Sequence, residues 1–313
     1  MTKLVTGAAG FIGSTIAQRL LKQGEEIIGV DCFIDYYPRS IKEKNLRPLK
    51  DFSSFTFLEQ NIIDLDLNKT LEGVDGIYHQ AAQAGVRASW GRDFEIYTTN
   101  NILATQKLLE AIKGRDIRLV YASSSSVYGE TRKIPMQEQD LPAPVSPYGV
   151  SKLAAEHLCR LYWKNFRVET VSLRYFTVYG PRQRPDMAFH RFLKAILTDG
   201  EIEIYGDGEQ TRDFTYIDDA VRANLLAMEK GTPGGVYNIG GGSRISVNKV
   251  IEKMERILGK KARVKRGERQ KGDVTHTYAD TTRAREELGF IPEADMEESL
   301  SGEARWIREN ILA

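Results

Sequence analysis

The chain predicts an α/β fold: a doubly wound parallel sheet followed by a smaller α/β lobe. Three observations point there. Strand-like apolar runs alternate with helical patterns through the first half, a glycine-rich turn joins the first strand to the first helix, and the rhythm changes near Arg174. With 313 residues there is room for two modest cores. Residues 1–175 are expected to form the first domain and residues 176–313 the second, with some crossing of the chain between lobes.

Taken in order, Lys3–Thr6, Glu26–Asp31, Thr56–Glu59, Gly76–Gln80, Arg118–Ser123 and Glu169–Arg174 are short apolar runs that read as strands. Ile12–Gln23, Asn100–Ile112 and Tyr148–Phe166 repeat apolar residues at helical spacing. Such alternation implies crossover helices between parallel strands. Beyond Arg174 come an arginine- and proline-rich loop (Gly180–Pro185), a helix over Ala188–Thr198, a turn at Gly206–Gly208, and Gly240–Gly242. Long loops of this kind usually carry binding contacts.

Composition excludes several classes. Forty-four basic residues stand against 43 acidic ones, a formal net charge of +1, which argues against nucleic acid or a membrane surface as partner. Cys32 and Cys159 are far apart and form no metal-ligand pattern, so neither a disulfide framework nor a metal site is expected. No apolar run approaches the ~20 residues of a membrane-spanning helix. The opening residues run straight into a strand with no signal-peptide pattern, and a soluble cytoplasmic protein is expected.

Gly7, Gly10 and Gly13 follow the first strand, and Phe11 and Ile12 open the first helix among them. Glycine lets the backbone approach a pyrophosphate, and a helix N-terminus offers free N–H groups to the anion, as in Rossmann-type dinucleotide sites. Asp31 ends the second strand 18 residues past Gly13. A carboxylate there accepts hydrogen bonds from ribose hydroxyls and repels a 2′-phosphate, which favours NAD over NADP. Asn61 and Ile62 close the third strand, where an amide could meet the adenine. Gln80, Ala81 and Ala82 end the fourth, where small residues let the chain pass close to the cofactor. His79 reads as a packed structural histidine, and one of Asn100 and Asn101 is expected to touch cofactor or backbone.

Tyr148 and Lys152 are four residues apart on one expected helix and so share a face. A free tyrosine, with a pKa of about 10, is a poor base at neutral pH. A neighbouring lysine cation and the positive nicotinamide favour the phenolate, and the lysine can also hold the nicotinamide ribose. Ser124, at the end of a strand, completes a constellation for moving a proton to or from an alcohol.

These residues, with Val127-Tyr128-Gly129 and Arg212–Asp219, resemble the extended short-chain dehydrogenase/reductases of the nucleotide-sugar epimerase and dehydratase group. The resemblance covers essentially the whole chain. It implies that Tyr148 is the base, that Ser124 bonds the reacting hydroxyl, and that the second lobe holds a nucleotide diphosphate. Family dehydratases carry an Asp-Glu pair immediately after the position of Ser124, whereas Ser125 and Ser126 stand here, which disfavours elimination. Oxidation followed by reduction with the same hydride is left, and that is epimerisation.

Three stretches are similar to those of UDP-glucuronate 4-epimerases: Gln83–Arg87, Asp35-Tyr36-Tyr37 with Ser40 and Lys42, and Arg184–Ala188. Thr177 stands where UDP-glucose 4-epimerases usually carry asparagine, leaving room and a donor for a carboxylate. The resemblance thus implies C4 epimerisation of UDP-glucuronate through a 4-keto sugar, with UDP-glucose/UDP-galactose epimerisation and then decarboxylation as rivals. Lys42 and Tyr175 are implied at the cofactor, and Gly85, Arg87, Ser125, Ser126, Thr177 and Arg184 at the sugar. Tyr205, Arg212, Gln270 and Asp273 are implied at the nucleotide diphosphate. Relatives often dimerise through a four-helix bundle, for which Asn100–Ile112 and Tyr148–Phe166 are the candidates.

Overall fold

The computed structural model describes residues 1–130, 133–268, 270 and 272–313. In chain order its strands are β1 (Thr2–Thr6), β2 (Glu26–Asp31), β3 (Phe55–Glu59), β4 (Val74–His79), β5 (Arg118–Ser124), β6 (Thr170–Tyr175), β7 (Thr177–Tyr179), β8 (Glu201–Tyr205), β9 (Thr211–Tyr216), β10 (Gly235–Ile239), β11 (Arg244–Ser246) and β12 (Arg263–Gly267). The α-helices are α1 (Phe11–Lys22), α2 (Arg39–Lys50), α3 (Leu67–Thr70), α4 (Phe94–Tyr97), α5 (Ala104–Ala111), α6 (Pro147–Phe166), α7 (Ala188–Leu197), α8 (Ile217–Lys230), α9 (Val247–Leu258) and α10 (Met296–Ile307).

Seven strands form the central parallel sheet, in the order β3-β2-β1-β4-β5-β6-β10. The order in which strands are added reverses between β1 and β4, which leaves a crevice at the carboxyl ends of those strands. The strands read as unbroken apolar runs because both faces are covered. Along β5, Leu119 and Tyr121 enter the core shared with α5 and α6, while Val120 and Ala122 enter the core shared with α1 and α8. The six strands expected from sequence are present, their ends shifted by no more than two residues.

Two segments beyond β7 return to the central sheet. Helix α8 packs Ala220, Ala223 and Ala227 into the same core as α1, and β10 then pairs with β6. The remaining segments form two small sheets, β11-β9-β7 and β12-β8. They share a separate core with α7, α9 and α10, built around Tyr179, Phe189, Phe214, Met254 and Leu300. Helix α2 has no counterpart in the sequence reading. It buries only Lys42, Asn45, Leu46 and Leu49, contains Pro48, and is mostly polar and charged along its length.

Candidate functional site

The crevice between β1 and β4 deepens into a cavity whose lower wall is the β1–α1 turn, with Gly7, Gly10, Phe11, Ile12 and Gly13 on it. Two of the glycines are required by packing. A Cβ on Gly13 would stand 2.2 Å from the Gly7 carbonyl oxygen, and one on Gly7, whose φ is +69°, 2.8 Å from the Ala81 nitrogen. Gly10 caps α1 with backbone alone and no side-chain acceptor, so the N–H groups of the first turn face the cavity as an anion site.

Asp31 lies at the carboxyl end of β2. One oxygen accepts the Ala9 N–H at 3.1 Å and the other accepts the Phe33 N–H at 2.9 Å, so the carboxylate braces the glycine turn while it lines the cavity. Lys42 reaches to 4.0 Å from Asp31 and donates to the Ile34 carbonyl; burial pushes its ammonium down, with Asp31 opposing. Asn61, Ile62, Gln80, Ala81, Ala82 and Asn100 also lie on this wall. Tyr175 donates to Asn224 at 2.9 Å, and the Gln80 amide donates to the same oxygen at 3.0 Å, which fixes both side chains.

Of the two asparagines, Asn100 is on the wall and Asn101 is a structural clamp. The Asn101 side chain takes the Gln83 N–H at 2.7 Å and donates to the Gln83 carbonyl and to Ser151. His79 is buried between Thr6 and Thr105, and burial pushes its ring down to about 3, so it stays neutral.

Helix α6 starts where it does because the Ser146 hydroxyl accepts the Gly149 N–H and Pro147 occupies the first turn. Tyr148 therefore stands in the first turn and Lys152 one turn later, both on the wall. Ser124 ends β5, where its hydroxyl accepts the Ser126 N–H at 3.1 Å and acts on the Tyr148 phenol. Burial raises the phenol above its ordinary range; the Ser124 hydrogen bond and the Arg184 charge pull it back part of the way. The expected lowering by Lys152 is not among these influences. Its Nζ stands 4.7 Å over the Tyr121 ring, and burial pushes the ammonium down to about 7 against the nearby Glu156.

Beneath Ser123 and Ser124 runs a buried polar chain. Glu156 accepts two bonds from Arg174, at 2.6 and 3.0 Å, and one from Ser123 at 2.6 Å. Arg174 continues to Tyr128 at 2.8 Å, and Tyr128 to Asn238 at 2.7 Å.

Arg184 lines the same cavity and is paired with Asp186 at 2.9 Å. Ser124, Ser125, Ser126, Thr177 and Gly85 are not on the wall but follow wall residues Ser123, Tyr175 and Ala84 by one to three positions. Tyr36, Tyr37, Cys32 and Gln83 are wall residues to which the sequence reading gave no role at the cofactor. For the two tyrosines the signal existed, in the Asp35-Tyr36-Tyr37 stretch; a position on the wall requires the fold of the β2–α2 loop.

A second cavity, in the other lobe, brings together Tyr205, Arg212 and Asp273 with Gly206, Asp207 and His276. Arg212 donates to the carbonyls of Thr211, Val274 and Thr275, which holds the 274–275 segment in place. Arg87 comes from the first domain to pair with Asp273 at 2.6 Å and to stand 4.3 Å over the Tyr205 ring. Gln270 donates to the Glu268 carbonyl and accepts the Asp273 N–H. Arg269 and Lys271, which flank it in the expected nucleotide segment, lie outside the described residues. Among the described residues no group of His, Cys, Asp and Glu could hold a metal ion, and no helix is long and apolar enough to cross a membrane.

Comparison with known proteins gives this architecture its relatives. Residues 3–240 match the model of the NAD dependent epimerase/dehydratase family. The chain is 46% identical over 312 residues to the uncharacterised UDP-glucose epimerase YtcB of Bacillus subtilis (strain 168), covering 98% of both proteins. It is 40% identical to the UDP-glucuronate 4-epimerase of Thermodesulfobacterium geofontis (strain OPF15), covering 98% of this chain and 96% of that one. Among solved structures, the UDP-glucuronic acid 4-epimerase of Bacillus cereus, in complex with UDP-glucuronic acid and NAD, superposes with a TM-score of 0.96 at 47% identity over 99% of each chain. This chain belongs to the NAD dependent epimerase/dehydratase family.

Proposed function

We propose that the protein is an NAD-dependent UDP-glucuronate 4-epimerase that forms UDP-galacturonate. The observation that carries this reading is a single cavity with an anion-binding helix terminus and Asp31 at one end and Tyr148 and Lys152 at the other, with Ser124 directly after wall residue Ser123. Ser125 and Ser126 stand where elimination would need carboxylates. The Bacillus cereus relative, with UDP-glucuronic acid and NAD bound, supports the same substrate and cofactor.

The residues present fit NAD: uncapped N–H groups for a pyrophosphate, a carboxylate for ribose hydroxyls, and Lys152 for the second ribose. NAD, when bound, supplies the acceptor and then the donor of a hydride at C4. Tyr148 takes the proton of the C4 hydroxyl and later returns it, while Ser124 holds the same oxygen. The 4-keto sugar turns its other face between the two steps, and C4 is inverted.

Oxidation at C4 makes a β-keto acid, which loses carbon dioxide readily. Ser125, Ser126, Thr177 and Arg184 are the donors that keep negative charge on the carboxylate and oppose that loss. Gly85 lets the chain pass close to the sugar. Tyr205, Arg212, Gln270 and Asp273, with Arg87, hold the nucleotide diphosphate.

The reading includes a cytoplasmic homodimer. Support for the dimer comes from Ile96, Leu103, Val150, Leu161 and Phe166, large apolar side chains left exposed along α4 to α6. The test of function is incubation of purified protein with UDP-glucuronate, without added NAD, followed by NMR. Conversion to UDP-galacturonate is expected. A UDP-pentose would mean decarboxylation, and turnover of UDP-glucose alone would mean a hexose epimerase.

A further inference from the structure

Arg182 lies in the loop between β7 and α7 with a left-handed backbone, φ +72°, a conformation uncommon for arginine and costly to hold. Its guanidinium is partly withdrawn from water, and that burial pushes it down to about 10. Two unfavourable features at one residue are kept only where the surroundings impose them.

What the side chain touches is the cofactor helix. Nη2 donates to Gln18 at 2.7 Å and Nη1 to the Ser14 hydroxyl at 3.3 Å, both on α1. The Ser14 hydroxyl in turn donates to the Phe11 carbonyl, in the turn that lines the first cavity. On the other side of Arg182 the loop is held along its length. The Gly180 N–H donates to Glu303 at 2.9 Å. Gln183, 1% exposed, donates to the Val178 carbonyl and accepts the His190 N–H. Arg184 pairs with Asp186, which also accepts from Tyr36 of the first domain at 3.4 Å.

We propose that Arg182 is a positioning residue: by tying the Gly180–Met187 loop to α1, it sets where Arg184 stands relative to the cofactor. The proposal rests on the reading of Arg184 as a donor to the sugar. The guanidinium, spanning two acceptors on α1, is then the main tie between the loop and the cofactor helix, beside the longer Tyr36–Asp186 contact.

The test is a double-mutant cycle on the NAD-loaded protein, with kcat and KM for UDP-glucuronate measured in wild type, Arg182→Gln, Arg184→Gln and the double variant. Arg182→Gln is expected to raise KM about tenfold, the scale of a charge-assisted hydrogen bond put out of place, with a smaller change in kcat. Because it acts through Arg184, the double variant should stay within about twofold of Arg184→Gln alone. Arg182→Lys should fall between wild type and Arg182→Gln, since a compact ammonium lacks the planar fork that spans both acceptors. An unchanged KM in Arg182→Gln, or a double variant whose loss is the product of the two single losses, would overturn the proposal. Should Arg182→Gln not fold, Arg182→Lys on both backgrounds decides by the same criterion. A wild type that turns over UDP-glucose but not UDP-glucuronate would remove the substrate reading alone, and the same cycle with UDP-glucose still reads the coupling.

Discussion

Replacing Glu156 with leucine tests how the site is held in place. Glu156 and Arg174 are each about 95% withdrawn from water, their side chains 5% exposed. The carboxylate accepts three hydrogen bonds, two from Arg174 and one from Ser123. In Glu156→Leu the guanidinium keeps only its bonds to Tyr128 and the Glu138 carbonyl, and its charge is left without a counter-ion in the core. Breaking a buried pair from one side costs about 3–5 kcal/mol, most of it from the stranded charge. Glu156→Leu with Arg174→Met removes both charges, and the loss should shrink to within about 1 kcal/mol of wild type.

The assay is urea denaturation by circular dichroism at a fixed NAD concentration, because bound cofactor adds its own stabilisation. Should Glu156→Leu cost less than about 1 kcal/mol, the pair is not the anchor described here. If the double variant is as unstable as the single one, the cost lies in packing rather than in uncompensated charge. The same substitution has a second readout, since Glu156 raises the Lys152 ammonium. Its removal should move Lys152 further down, visible as a shifted pH dependence of turnover in any variant that folds.

Further outcomes are expected. Tyr148→Phe should lower turnover of every nucleotide sugar by about 10³-fold while retaining NAD, read by NMR and by cofactor absorbance after acid release; normal turnover would remove Tyr148 as the base. Thr177→Asn should reduce kcat/KM for UDP-glucuronate about tenfold relative to UDP-glucose, and equal losses on both would remove Thr177 from carboxylate recognition. Gly13→Ala, whose new Cβ would meet the Gly7 carbonyl, should cost about 1–3 kcal/mol in a denaturation curve and abolish NAD retention. Lys152→Met addresses pH in protein freed of cofactor. The folded amine titrates near 7 and the unfolded one near 10.5, so the unfolded chain binds the extra proton between those values. Wild type should therefore gain stability as pH rises from about 7 to 10.5 relative to Lys152→Met, and parallel curves would refute the depressed value.

Much of the fold was legible because its signals are local. Strands buried on both faces must be apolar throughout, and helices between them must repeat at helical spacing, so β1 to β6, α1 and α6 are apparent in the residues themselves. Gly7, Gly10 and Gly13 announce the cofactor end because the turn has no room for a Cβ at Gly7 or Gly13. Tyr148 and Lys152 announce the other end because one helical turn separates them. Helix α2 was missed because a charged helix containing Pro48 has too few apolar residues to stand out as a buried element.

The rest was decided between segments far apart in the chain. That α8 and β10 return to the central sheet depends on which surfaces bury together, not on any local pattern. The state of Tyr148 is set by burial, Ser124 and Arg184, the last of them from the other lobe. Arg87 meets Asp273 across 186 residues, and Arg182 meets Gln18 across 164. By itself, then, the sequence determined six of the seven sheet strands, the glycine turn and the helical spacing of Tyr148 and Lys152, because covalent spacing and backbone sterics act within a few residues. Only the tertiary structure decided which charges face one another and how far each is removed from water, because desolvation and Coulomb energy depend on distances that close when the chain has folded.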